Sequence, residues 1–510
     1  MTPAIVHFWR MLVWGRRLAR HGALRPFEGP ALPLAIRLVA RVARLGARAP
    51  AIPDFAGGLS AVGPAAIKLG QALATRPDLI GQEAAADLAR LQDALPPVPF
   101  AALEPVLGPN WREQFQSVDP VSVGAASIAQ VHRAVTSDGR AVAIKLLRPG
   151  IEAEVARAIA TYEWGAAHLE TLGGEFARLR PRAVIAMFKG WIETELDLRR
   201  EAASASELAE ILAGEPDYVI PAVDWARSGR RMLVIDWIDG VKVSDRAAMA
   251  ALDFDRTRLA RVLVNGFLAQ AIAKGFFHAD LHQGNLFVIP AGDGHPHARI
   301  GVIDFGIMGR INRRARLYLA EILHGLVTGN YARVAEIHFE AGYVPGHHNV
   351  AAFATALRAV GEPIRGKRAK DIAITDLLEG LFSITRSFDM PVQPHLLLLQ
   401  KTMVMVEGVA LTLDPHVNMW EVAEPYVRDW VRDEMGPEAV IADRIVLNAR
   451  ALAQLPRIFR QFVADNPMPG AAPPQAPMPP APERGQSSGW STPWLLLAAG
   501  LGAAVMQLLG

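Results

Sequence analysis

The chain of 510 residues contains no cysteine, which removes disulfide frameworks, cysteine-ligated zinc, iron–sulfur clusters and thiol nucleophiles together. It also lacks an excess of either charge. With 53 Lys+Arg against 51 Asp+Glu, the net charge of +2 provides no overall field for gripping a phosphate backbone, so nucleic acid is not an expected partner. Charged residues are sparse at 20%, hydrophobic ones reach 51% and the mean hydropathy is +0.18, which excludes disorder throughout and makes membrane contact a reasonable expectation. The first 48 residues lack lysine yet hold nine arginines, among Trp9, Leu12, Val13, Trp14 and Leu18, with Glu28 the single acid. No uninterrupted apolar core followed by a small-residue cleavage site occurs there, so the segment does not read as a secretory signal. It reads as a basic amphipathic arm, resting either on anionic lipid or on the protein's own surface.

Ala65 to Leu95 has helical spacing and stops at Pro96-Pro97-Val98-Pro99, because proline has no amide donor and disfavours helix in the residue before it. Short apolar runs follow, and Ser137-Asp138-Gly139 between Ala129–Thr136 and Ala141–Leu147 is a hairpin signal. Met232 to Ile238 reads as another strand, Arg256 to Gly275 as helix, Leu286–Ile289 and Ile300–Ile303 as strands, and most of Arg313 to Phe462 as helix. The expected fold is therefore α+β, a small β-containing lobe followed by a larger helical one. Asn466 to Pro482 has the composition of a linker. Residues 486–510 are 25 uncharged positions that open with Trp490 and Trp494 and continue apolar from Leu495, long enough for a C-terminal transmembrane helix. The alternative is a peripheral helix that packs on the soluble domain or pairs with another copy in a homodimer through Gly500, Gly502, Ala503 and Ala504.

The strongest chemical signal is His278-Ala279-Asp280-Leu281-His282-Gln283-Gly284-Asn285, followed by Val302-Ile303-Asp304-Phe305-Gly306. Phosphoryl transfer from ATP needs a carboxylate near the acceptor, and an amide oxygen and a second carboxylate to hold magnesium across the phosphates. Asp280, Asn285 and Asp304 supply all three, at the spacing of a kinase catalytic loop. A zinc pair through His278 and His282 is the alternative; it would leave Asn285 and Asp304 idle. Upstream, Val142-Ala143-Ile144-Lys145 is an apolar strand ending in a lysine that can reach phosphate oxygens. Before it, Gly124, Ala125, Ala126 and Ser127 stand where kinases keep a glycine-rich loop, and alanine there restricts the backbone. Glu193 to Glu201 is the densest acidic run between Lys145 and the catalytic loop, and it lies in a helical stretch.

These motifs, in this order from about Ala65 to Phe462, resemble the UbiB/ADCK family of atypical, protein-kinase-like ATPases that support ubiquinone biosynthesis. Lys68-Leu69-Gly70-Gln71 matches the family's Lys-x-Gly-Gln signature in an N-terminal helical extension, which ordinary protein kinases and small-molecule kinases lack. The resemblance implies a two-lobed protein-kinase-like fold and ATP with Mg2+ as cofactors. It implies Lys145 paired with Glu201, Asp280 as the catalytic aspartate, Asn285 and Asp304 as metal ligands, and Gly124 to Ser127 as the nucleotide loop, with Asp236 and Ile238 further nucleotide contacts. Lys68, Gly70 and Gln71 with Glu195 and Asp197 form a regulatory set; the family's lysine pairs with its Glu-x-Asp acids, so a contact from Lys68 to Glu195 is expected. Gly124 and Ala129 exchange the family's usual alanine and glycine, and no Ala-Pro-Glu follows Asp304-Phe305-Gly306, so a platform for a peptide substrate is missing.

The expected organisation is an arm at 1–48, a helical extension at 49–118, an N-lobe at 119–240, a C-lobe at 241–465, a linker at 466–485 and an anchor at 486–510. By the same resemblance the chain is a membrane-anchored ATPase or atypical kinase acting with polyprenyl quinone precursors, membrane lipid and ubiquinone-biosynthetic enzymes. Its expected location is a bacterial-type inner membrane, with the soluble part facing the cytoplasm. An ATP-sensing pseudokinase scaffold and a small-molecule kinase are the alternatives. No flavin fingerprint or iron triad supports ring hydroxylation.

Overall fold

The computed structural model describes residues 3–435 apart from 25–33, 49, 51, 75–81, 89, 92–94, 172–179, 293, 363–382, 385–386 and 391–393. The linker at 466–485 and the apolar tail at 486–510 lie outside the described residues. Among the described residues, no helix is long and apolar enough to cross a membrane. The described residues divide into two compact units, one built from those up to Ala203 together with Ala222–Trp237, the other from Ser204–Pro221 and those from Ile238 to Met435.

The first unit begins with helices α1 (Pro3–Arg20), α2 (Leu34–Arg44), α3 (Phe55–Val62), α4 (Pro64–Ala74), α5 (Gln82–Leu88), α6 (Phe100–Leu107) and α7 (Trp111–Gln114). Strands β1 (Phe115–Ala125), β2 (Ala129–Thr136) and β3 (Ala141–Leu147) follow, then α8 (Ile151–Glu170), α9 (Pro181–Glu195) and the start of α10 (Leu198–Ile211). The basic arm proves to be packed: α1 buries Met11, Leu18 and Ala19 while Trp9, Val13, Arg16, Arg17 and Arg20 remain exposed. Spacings of seven and eight residues keep the buried set on one helical face.

The sheet of this unit runs β1-β2-β3-β5 with antiparallel pairing throughout, once β5 (Met232–Asp236) is counted. Strand alternation gives its two faces different partners. Val142, Ile144 and Leu146 pack with Ala134, Val234, Leu103 and Leu107, so α6 covers one face. Ala129, Leu147 and Leu233 belong to the larger core that holds Ile67, Leu69, Ile151, Phe188 and Ile192. Lys145, between Ile144 and Leu146, therefore projects on the side opposite the α6 layer. β1 is an edge strand whose register slips between Val118 and Ser122, at Pro120, which has no N–H to give the ladder.

In the second unit a four-stranded sheet has the order β4 (Tyr218–Val219), β9 (Arg299–Val302), β8 (Leu286–Ile289), β6 (Val241–Lys242), and β7 (Phe276–His278) pairs with β10 (Met308–Arg310). Helices α11 (Arg246–Ala251) and α12 (Arg256–Leu268) precede β7; α12 runs into a π-helical stretch at Ala269–Lys274, which ends at Gly275 with φ 72°. The remainder is helical: α13 (Arg313–Thr328), α14 (Tyr331–Glu340), α15 (Val350–Gly361), α16 (Pro394–Leu413) and α17 (Met419–Met435). Tyr331, Val334, Phe353 and Leu357 form the core between α14 and α15.

Candidate functional site

In the first unit, Lys145 on β3 places its Nζ 2.7 Å from Glu201 Oε1. Glu201 sits in the first turn of α10, where a helix favours a carboxylate, and both side chains are largely shielded at 19% and 9% exposure. Gly124 and Ala125 end β1, and Ala126 and Ser127 make the turn into β2, closed by Ala126 N donating to Ala129 O at 2.7 Å. Arg148 Nε donates to Ala126 O at 2.9 Å and holds the turn from β3's end. Gly124 has open space around its Cβ position and no left-handed φ, so the loop does not use the freedom that glycine offers.

Lys68, in α4, is 5% exposed and forms an ion pair with Glu195, the last residue of α9. Gly70 packs so closely that a Cβ would collide with Leu59 Cδ1 and Leu91 Cδ1, and Gln71 Nε2 donates to Leu91 O at 3.4 Å. The acidic run is not one helix. The chain breaks at Leu196-Asp197, and Asp197 accepts from Arg199 N at 3.2 Å while pairing with the Arg199 guanidinium at 2.6 Å. That hydrogen-bonded guanidinium holds the Asp197 carboxyl below its usual range. Asp236 Oδ1 lies 3.2 Å from Arg140 Nη1, within a network that also ties Arg140 to Asp138 and Asp224.

In the second unit, Ile238 packs against Gly301 of β9. The residues of the expected catalytic loop are knitted together there mostly by backbone. Asn285 Nδ2 donates to Asp280 O at 3.1 Å, and Ile303 N donates to Asn285 O at 3.0 Å, so the segment before Asp304 is tied to the loop that carries Asp280. Asp304 adopts φ 65°, a left-handed conformation costly for a non-glycine residue, and its Oδ1 accepts from Gly306 N at 3.4 Å. His278, fully buried, supplies a second tie: its Nδ1 accepts from Asp280 N at 3.1 Å and its Nε2 lies 3.2 Å from Ile303 O. An acceptor at Nδ1 and a carbonyl at Nε2 define a neutral imidazole with the proton on Nε2, and burial pushes its pKa down accordingly. Both ring nitrogens are spent inside the fold, and His278 ends a strand rather than sharing a helix with His282, so the zinc alternative is removed.

Three oxygen-bearing side chains, Asp280, Asn285 and Asp304, are thus organised within one loop system. Asn285 commits its nitrogen to a carbonyl, which leaves Oδ1 as its ligating end. An all-oxygen set with few protein ligands suits magnesium, which keeps water and phosphate in its other positions. Asp280 has two charged or chargeable neighbours: His282 Nε2, from its own motif, at 3.7 Å from Oδ2, and Lys401 Nζ, which sequence reasoning missed, at 3.6 Å from Oδ1. Lys401 comes from α16, and no local pattern links it to a motif more than a hundred residues earlier.

Family models for the ABC1 atypical kinase-like domain and the UbiB helical domain match residues 90–338 and 357–418. A probable protein kinase UbiB from Marinobacter nauticus is 38% identical over 387 residues, covering 75% of this chain and 70% of that protein. The chain belongs to the UbiB family. Its kinase-like domain is the one that holds Lys145, Glu201, Asp280, Asn285 and Asp304, and its helical domain holds Lys401. Among solved structures, Rv3197 of Mycobacterium tuberculosis in complex with erythromycin is 24% identical, with TM-score 0.48 over 70% of this chain and 86% of that one. The Rio2 kinase of Chaetomium thermophilum with ADP, Mg2+ and phosphoaspartate is 14% identical, with TM-score 0.27 over 76% of this chain and 97% of that one.

Proposed function

We propose that this UbiB-family chain binds ATP with Mg2+ and turns it over, as an ATPase or atypical kinase that promotes ubiquinone biosynthesis through lipid-borne quinone precursors. The observation that carries the reading is the loop system in which Asp280, Asn285 and Asp304 are tied through backbone carbonyls and His278. In this role Lys145, oriented by Glu201, meets phosphate oxygens, Asn285 and Asp304 hold the magnesium, and Asp280 faces the acceptor. The bound ion supplies charge neutralisation across the phosphates. The Lys68–Glu195 pair favours the UbiB type of activity over a small-molecule kinase, because the motif that supplies Lys68 belongs to the family's extension.

A lipid surface as partner is supported by exposed Trp9, Val13, Leu38, Val42 and Leu45 on and beside α1 and α2, interleaved with exposed Arg16, Arg17, Arg20 and Arg41. Apolar side chains between arginines suit the interface of an anionic bilayer. Residues 486–510 would add an anchor in a bacterial-type inner membrane, with the catalytic residues on the cytoplasmic side where ATP is available.

Calorimetric titration of the full chain with ATP tests the magnesium site. Mg2+ should strengthen ATP binding by at least about tenfold in the wild type, and Asp304→Asn should abolish that gain, since second-sphere and ligand changes cost about 10–100-fold in metal affinity. Equal magnesium dependence in both proteins would sink the assignment.

A further inference from the structure

One face of α16 addresses the catalytic loop at both ends. Lys401 reaches Asp280; Thr402 Oγ1 lies 3.3 Å from Ala279 O while donating to Leu398 O at 2.8 Å; and Gln283 Nε2 donates to Thr412 Oγ1 at 2.9 Å. Positions 401 and 412 are about three turns apart at 3.6 residues per turn, so Lys401 and Thr412 share a side of the helix, with Thr402 about 100° round toward the core. Thr402 is fully buried, which fixes the height of α16 against the loop, whereas Lys401 keeps 39% of its side chain exposed and is not needed to fill the core. The salt bridge therefore contributes little to folding. Its other consequence is local: Lys401 stands at Oδ1 of Asp280, and His282 at Oδ2.

We propose that Lys401 is a positioning residue that fixes the Asp280 carboxylate for proton acceptance, so that the helical domain completes a catalytic loop the kinase-like domain carries alone in sequence. The inference rests on the ATP-turnover reading above. In that reaction the acceptor oxygen bonds to the γ-phosphorus, the bond from that phosphorus to the bridging oxygen breaks, ADP leaves with the electron pair, and the acceptor's proton passes to Asp280. With Lys401 present, its ammonium at 3.6 Å attracts Oδ1 and biases the carboxylate toward α16. Without it His282, 3.7 Å from Oδ2, is the chargeable neighbour left to the carboxylate. Nucleotide binding does not depend on this contact, because Asn285 and Asp304 are held by other bonds.

The test compares full-length wild type, Lys401→Met and Lys401→Arg in ATP turnover, Mg-ATP binding and thermal unfolding. Misplacement of a catalytic group by about 1 Å costs on the order of 100-fold. Lys401→Met is expected to lower kcat by at least about tenfold with KM and Kd for Mg-ATP within about twofold and an unchanged Tm, while Lys401→Arg restores most of the rate. Normal turnover by Lys401→Met would overturn the proposal. A wild type with no Asp304-dependent turnover defeats instead the reading on which the proposal rests, and so the two failures are distinguishable.

Discussion

Lys145 and Glu201 illustrate how burial decides what an ion pair does. Their side chains are 19% and 9% exposed, so removing one partner leaves the other poorly solvated, and a double-mutant cycle should show coupling. Lys145→Met, Glu201→Gln and the double variant, compared by urea unfolding, are expected to give an interaction energy of about 1–3 kcal/mol. The Lys189–Glu163 pair has similar geometry at 3.1 Å but is 43% and 47% exposed, and water and salt should remove any measurable coupling. Equal values for the two pairs would show that shielding by the surrounding fold is not what gives the first its strength. Lys68 with Glu195 belongs to the shielded kind, at 7% and 19% side-chain exposure. His278 belongs to neither, since it works as a neutral brace whose two nitrogens join the Asp280 and Asp304 segments.

At the scale of elements, two glycines in named motifs are constrained in opposite ways. Gly70 lies in α4 against Leu59 and Leu91, so Gly70→Ala should cost about 1–3 kcal/mol through overpacking. Gly124 meets nothing, and Gly124→Ala should stay within about 0.5 kcal/mol. Urea midpoints of the two variants check both, and a reversed order would contradict the packing described. The β2–β3 hairpin was legible because its residues alternate and a Ser-Asp-Gly turn separates them. β1 was not, because an edge strand interrupted at Pro120 and mostly exposed along its length shows no alternation. β7 and β10 are three residues each, too short for any period. The break at Leu196-Asp197 was hidden for a different reason: the charged run has good helical propensity, and what ends α9 there is the local hydrogen bonding of Asp197 with Arg199.

At the scale of the whole molecule, the kinase-like motifs were readable because they place fixed residue types at short spacings, as from Asp280 to Asn285, within the stretch that the kinase-like family model matches. Contacts made across long sequence separations were not. Lys401 sits in a helix that is apolar along most of its length, and nothing local distinguishes it from a solvated lysine. The arginine-rich arm was readable as amphipathic, and the structure adds that its apolar content is divided: Met11, Leu18 and Ala19 face the core while Trp9 and Val13 face outward. The exposed share is what a lipid surface would take up.

The most direct test is ATP turnover by the full chain with and without anionic phospholipid vesicles, beside Asp304→Asn. Turnover that rises several-fold on the vesicles and vanishes in the variant is the expected result, with anionic lipid contributing roughly 1 kcal/mol per engaged arginine to recruitment. Turnover equal in both proteins, or absent from both under all lipid conditions, would contradict a lipid-coupled UbiB-type ATPase.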